Sequence, residues 1–181
     1  MDLIVDAPIN SLSFGNVSYN ILRQFWRKGV NVNLFPHGEK GDFSAFDKID
    51  KEFLEWLKES ASTANLKVRK DIPSFKLWHL NGSQNRVGPK QALYTFYELD
   101  QPTEVEINLA KLQDKIYFSS EHSANLFKEK GVDALVLPVG FDEDFHRTNK
   151  TYLSEEVVHF GLMGKFEHRK HTEKIIKLWL S

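Results

Sequence analysis

The first 36 residues carry a strand, a helix and a second strand in immediate succession, and no other feature of the chain restricts its fold as much. Leu3, Ile4 and Val5 make a short buried-strand candidate, followed by a polar loop containing Pro8 and Gly15. Val17, Ile21, Leu22 and Phe25 then recur at helical spacing, and Gly29 supplies the left-handed residue that commonly stops a helix. Residues 30–35 alternate apolar and polar side chains up to Pro36. Two strands joined through a helix imply a parallel pair with a right-handed crossover, and so an α/β fold.

The same alternation continues. Phe46, Ile49, Phe53, Trp56 and Leu57 mark an amphipathic helix that the polar stretch 59–65 ends. Residues 76–80 and 93–98 are strand candidates rich in aromatic and β-forming side chains, and the Gly/Asn/Pro-containing loop 81–90 between them reads as a functional edge. Thr103 with Glu106 forms a capping box ahead of Ile107, Leu109 and Leu112. Residues 116–118 read as a strand, Ser120 as the cap of a helix through Phe127 that ends near Gly131, and residues 134–138 as a strand. The expected first domain, residues 1–148, is a Rossmann-like parallel sheet flanked by helices. Residues 149–156 read as a linker, and residues 157–181 as one strand (157–163) and one helix (172–180) opening a second domain. One β-α unit cannot bury its own faces.

Charge and composition remove several function classes. Lys and Arg number 24 against 25 Asp and Glu, a net charge of −1 with a pI near 6.7, which excludes a non-specific nucleic-acid or anionic-membrane binder. Without cysteine there is no disulfide framework, thiolate metal site or thiol nucleophile. The opening run is too short, too acidic and too quickly broken by Pro8 for a signal peptide, and no stretch has the length of a membrane span, so the expectation is a soluble cytoplasmic protein.

Three places could carry chemistry. Gly15 and Asn16 stand between the first strand and the first helix, where free amides and the positive dipole end can hold a phosphate; the same glycine equally reads as a turn residue. No dinucleotide fingerprint and no Walker loop occur. Glu98 and Asp100 follow a predicted strand and His79 follows the one before it. Together at a carboxyl edge they could orient sugar hydroxyls or move a proton, and the carboxylates equally read as a helix cap or a lysine partner. Lys165, Arg169 and Lys170 bracket a strand-to-helix turn and could converge on a pyrophosphate, or form a solvated charged turn. Glu167, His168 and His171 lack a further ligand at a standard zinc spacing, so no metal is expected.

Taken in order, these segments resemble a known family. Asp6-Ala7-Pro8 through Gly15 to Gly29-Val30-Asn31-Val32, then Phe96-Tyr97-Glu98-Leu99-Asp100, Lys115-Ile116-Tyr117-Phe118-Ser119-Ser120-Glu121-His122-Ser123, Phe127-Lys128-Glu129-Lys130-Gly131-Val132, Leu137-Pro138-Val139-Gly140-Phe141-Asp142 and Phe160-Gly161-Leu162-Met163-Gly164-Lys165 to Lys170 are similar in order and spacing to the motif series of glycosyltransferase family four, a GT-B fold. The resemblance implies hexosyl or related transfer from a nucleotide-diphosphate sugar to a hydroxyl of a carbohydrate or lipid-linked acceptor, with retention and without metal or other cofactor. It implies His79 near the reacting sugar, Gly15 beside the donor phosphates and acceptor, and Lys165 and Lys170 on the donor diphosphate; Glu98 and Asp100 as catalytic candidates, and Asn16 and Arg169 as phosphate contacts, come from the residue reading alone. Lys165 stands where the family has arginine, which keeps the charge and loses the planar fork, and His171 replaces a glycine. Members of that family have a whole second Rossmann-like domain, whose E-x7-E motif holds the donor, and this sequence ends after that domain's first β-α unit, so the expectation is an acceptor-side domain with the start of a donor-side domain, a fragment inactive in isolation and able to form a homo-oligomer. The rival readings are a non-catalytic Rossmann-like sugar- or phosphate-binding module and an NAD-dependent epimerase or dehydrogenase.

Overall fold

The computed structural model describes residues 1–38, 41–46, 48–67, 69–141, 156–164, 166 and 168–181, and of Arg169 the backbone alone. The chain divides into two units, Met1–Asp142 and Glu143–Ser181. In the first, six strands lie in the order β2-β1-β3-β4-β5-β6: β1 (Asp2–Pro8), β2 (Asn31–His37), β3 (Ser74–Leu77), β4 (Gln91–Thr95), β5 (Lys115–Phe118) and β6 (Ala134–Val136). Every neighbouring pair is parallel. This is a Rossmann-like α/β sheet with helices on its faces.

The helices form where apolar spacing and caps coincide. Helix α1 (Ser13–Arg27) buries Ser18, Tyr19 and Leu22, and Gly29 follows at φ +64°, the left-handed stop its position in the sequence predicts. Helix α2 (Lys51–Ser62) begins later than the apolar spacing suggests, because the Asp50 carboxylate caps it by accepting from the amides of Glu52 at 2.9 Å and Phe53 at 3.3 Å. Phe46 lies before the helix and stacks on Tyr19, ring centroids 3.6 Å apart. A short helix α3 (Ala64–Lys67) follows. Helix α4 (Glu104–Lys111) carries the complete capping box of Thr103 and Glu106, and Ser120 caps α5 (Glu121–Lys128) by accepting from the Ser123 amide.

Strand alternation divides the core. Leu3, Val5, Ala7, Val32, Leu34, Leu77 and Tyr94 pack with Tyr19 and Leu22 of α1 and Phe53 and Leu57 of α2. Leu93, Ile116, Phe118 and Ala134 pack with Ile107 and Ala110 of α4 and Ala124 and Phe127 of α5, where the Phe118 and Phe127 rings stack at 4.6 Å. The β3-to-β4 connection is loop 81–90 rather than a helix. It lies close on the sheet: a Cβ on Gly88 would stand 3.1 Å from Ser74 Cβ and 3.3 Å from Ile4 Cδ1.

The chain runs outward from β1 to β2 and then crosses back to place β3 on the other side of β1. That reversal is the switch point of the sheet, the place at the carboxyl edge where open parallel sheets hold ligands in a crevice. Two strands end sooner than expected. β3 stops at Leu77 and β4 at Thr95, so His79, Glu98 and Asp100 belong to the loops beyond.

In the second unit a 3-10 turn, His168–Lys170, leads into α6 (Thr172–Leu180), the helix expected there. The expected strand at 157–163 does not form. A strand needs ladder partners for its amides and carbonyls, and the described residues of this unit offer none. Instead Phe160 packs on Trp179 at 4.3 Å. Residues 149–155 of the expected linker, Lys165 and Glu167 lie outside the described residues. Among the described residues no helix is long and apolar enough to cross a membrane.

Candidate functional site at the carboxyl edge

The crevice at the switch point is built around a buried charge pair. Asp6 near the end of β1 and Lys76 in β3 are register partners, so their side chains leave the same face of the sheet. Lys76 Nζ donates to Asp6 Oδ2 at 2.6 Å and to the Asn85 carbonyl at 2.8 Å. Asp6 is 5% exposed and Lys76 3%, with loop 81–90 supplying the cover. Two ions out of water are costly unless paired and hydrogen-bonded, and this geometry meets both conditions.

The second carboxylate oxygen reaches out of the core. Asp6 Oδ1 is hydrogen-bonded to Nε2 of His37, the last residue of β2. An ionised carboxylate only accepts, so Nε2 carries a proton and donates. Burial pushes the Asp6 carboxyl up, but the hydrogen bonds from His37 and Lys76 together with the Lys76 ammonium outweigh it and hold the group below its usual range.

Aromatic rings wall the crevice. Trp78 meets the His37 ring edge to face at 4.4 Å, and Phe14, from the first turn of α1, lies 4.5 Å from the His79 ring, 4.8 Å from Phe96 and 6.0 Å from Trp78. Gly82, at φ +92°, lets the indole lie close, since a Cβ there would stand 3.3 Å from Trp78 Nε1. The charge pair thus lies buried beneath loop 81–90, the aromatic rings stand beside it, and His79 is exposed.

The loop before α1 closes the near side. Asn10 Oδ1 accepts from the Leu12 amide at 3.0 Å, and no side chain caps the helix at Leu12. Gly15 is buried beneath this loop, where a Cβ would stand 2.1 Å from the Asn10 carbonyl oxygen. Its missing side chain is thus occupied by the chain's own backbone. Asn16 is exposed and its Oδ1 accepts from Asn20 Nδ2 at 3.1 Å. Asp42 pins the loop from the other side: its amide donates to the Ile9 carbonyl, and hydrogen bonds from Ser11 and Ser44 hold its carboxyl down at about 2.

The other expected residues lie elsewhere. Glu98 and Asp100 are exposed on the segment after β4, and Asp100 Oδ1 is 3.4 Å from His122 Nε2 at the start of α5. That segment is tied down through Tyr97, whose phenol donates to Glu106 and is pushed up to about 12 by burial and then by the Glu106 carboxylate, and whose carbonyl accepts from Ser123. In the second unit Lys170 folds over Gly164, which is at φ +132° and where a Cβ would meet Lys170 Nζ at 3.2 Å. His168 and His171 have ring centroids 6.1 Å apart, and no group of three or more potential metal ligands gathers among the described residues.

Sequence reasoning singled out His79 and the loop at Gly15, which the fold brings to this edge, and passed over Asp6, His37 and Lys76. The available signal was Lys76 inside a strand between Phe75 and Leu77, a position where a cation needs a buried counter-charge. Comparisons with known protein families, with curated proteins and with solved structures find no match to this chain, so the Rossmann-like sheet and its carboxyl-edge cluster are what any functional reading must rest on.

Proposed function

We propose that the chain carries the acceptor-side domain of a GT-B glycosyltransferase, which moves a sugar from a nucleotide-diphosphate donor to a hydroxyl of a carbohydrate or lipid-linked acceptor. The observation that carries the reading is the β1/β3 switch point, where His37, held from beneath by the buried Asp6–Lys76 pair, lies beside Phe14, Trp78 and His79. Open parallel sheets bind ligands at such points, and aromatic walls with a few fixed polar groups suit a pyranose, whose C–H faces stack while its hydroxyls hydrogen-bond. The order of short motifs along the chain supports the same reading. Lys165 and Lys170 of the second unit take the donor diphosphate in this account, their charge stabilising the leaving group as a metal ion would. The transfer needs no other cofactor.

The test is a transfer assay on the native gene product with UDP- and GDP-hexoses and a panel of glycosides. Release of nucleoside diphosphate that depends on added acceptor is the expected result; no consumption of any donor in any acceptor's presence contradicts it. A binding module without transfer is the second reading. The crevice lies wholly in the first unit, which favours sugar binding whether or not a donor is used.

A further inference from the structure

We propose that α6 docks the second unit on an anionic lipid bilayer, lying in the plane of the interface with its apolar side towards the acyl chains. The helix has 9 residues, too few to span a bilayer, and three of them are charged. At about 3.6 residues per turn, Ile175, Ile176, Leu178, Trp179 and Leu180 share an arc of about 200°, and Glu173, Lys174 and Lys177 fill about 100° of the opposite side. The apolar arc is uncovered: its five side chains belong to residues between 41% and 78% exposed. Phe160, itself exposed, packs on Trp179 and widens the arc into a broader apolar surface.

Charge names the occupant. From His168 to Ser181, Arg169, Lys170, Lys174 and Lys177 stand against Glu173, whose carboxylate is already paired with Lys177. The net charge of −1 averages this basic end with an excess of carboxylates before it, so the exclusion of anionic membranes drawn from the whole-chain total does not reach α6. A bilayer with anionic headgroups complements both sides of the helix. Its acyl chains take the apolar arc, and its negative surface attracts the lysines at the border, whose stems run along the apolar surface while the ammonium groups stay at headgroup level. Trp179 supplies the amphipathic ring that is enriched at that depth. A protein groove takes a narrow stripe of anchors spaced along one helix face, whereas this arc covers more than half of the helix and suits a plane. The docking stands apart from the transferase reading; where that reading holds, it brings the chain to the surface where lipid-linked acceptors reside.

Co-sedimentation of the full chain with vesicles tests this, the probes being vesicles of phosphatidylcholine alone and of phosphatidylcholine with an equal part of phosphatidylglycerol. The chain should bind the anionic vesicles at least about tenfold more tightly than the neutral ones, and salt should release it by screening the attraction. Lys174→Gln combined with Lys177→Gln should weaken binding about 10- to 30-fold, from the usual worth of a cation near such a surface. Leu178→Ser combined with Trp179→Ser should abolish it. All four residues are exposed, so the urea midpoint should not move with either pair. No sedimentation with the anionic vesicles overturns the proposal, as does binding that neither salt nor the lysine pair alters. A dimer in sedimentation equilibrium that Leu178→Ser with Trp179→Ser dissociates assigns this face to a second copy and overturns it as well. Each of these results leaves the transferase reading where it stands.

Discussion

Lys76→Met should cost about 3–5 kcal/mol of folding stability at neutral pH, because it strands a buried carboxylate whose counter-charge is gone. The methionine fills the space of the lysine stem, so the loss reports the charge rather than a cavity. The cost should vary with pH in a direction that separates the two. In the wild type the Asp6 carboxyl is held down, so its contribution is fully present above the ordinary carboxylate value of about 4 and is lost as pH falls through the lower folded value. In the variant the folded cluster binds a proton more tightly than the unfolded chain, so stability is gained as pH falls and lost as it rises. Urea midpoints at pH 5, 7 and 8 measure this. A deficit that shrinks towards pH 5, and largely disappears when Asp6→Leu is added, is the expected pattern; a deficit constant with pH contradicts the buried-pair account.

Gly15→Ala should lower stability by about 2 kcal/mol, although alanine is the better helix former by about 1 kcal/mol. The added Cβ would stand 2.1 Å from the Asn10 carbonyl oxygen, 2.4 Å from Asn10 Oδ1 and 2.5 Å from the Asn10 amide nitrogen, so backbone must move. The predicted consequence is local as well as energetic. Amide shifts should change most at residues 9–12 and at Asp42, whose amide donates to Ile9. A variant as stable as the wild type, with those shifts unchanged, would show that the loop does not rest on the helix as described.

Both predictions concern residues that one reading of the sequence passed over or explained differently. The β1-α1-β2 unit, the Gly29 stop, the Thr103–Glu106 box and the Ser120 cap were all legible, since each depends on residues within one turn or one short loop of each other. The pairing of Asp6 with Lys76 joins positions 70 residues apart, and only the β1–β3 register brings them together. His37 reads in sequence as the residue after Pro36 at a strand end, and its role depends on the same neighbouring strand. The strand read at 157–163 shows the converse error: a β-forming composition was present, but no ladder partner among the described residues. Glu98 and Asp100 looked poised at a strand end, yet β4 stops at Thr95 and leaves them on an exposed segment.

The central claim is that the crevice between the ends of β1 and β3 receives a sugar. Its most direct test is a titration of the chain, labelled with ¹⁵N at tryptophan and histidine, with methyl pyranosides of the common hexoses, followed by two-dimensional NMR. The account predicts saturable shifts at the Trp78 indole N–H and at the His37 and His79 rings with at least one sugar, while Trp56 and His122 stay fixed. Saturable shifts confined to other sites, or none at Trp78 and His37 with any hexoside up to its solubility, would contradict it.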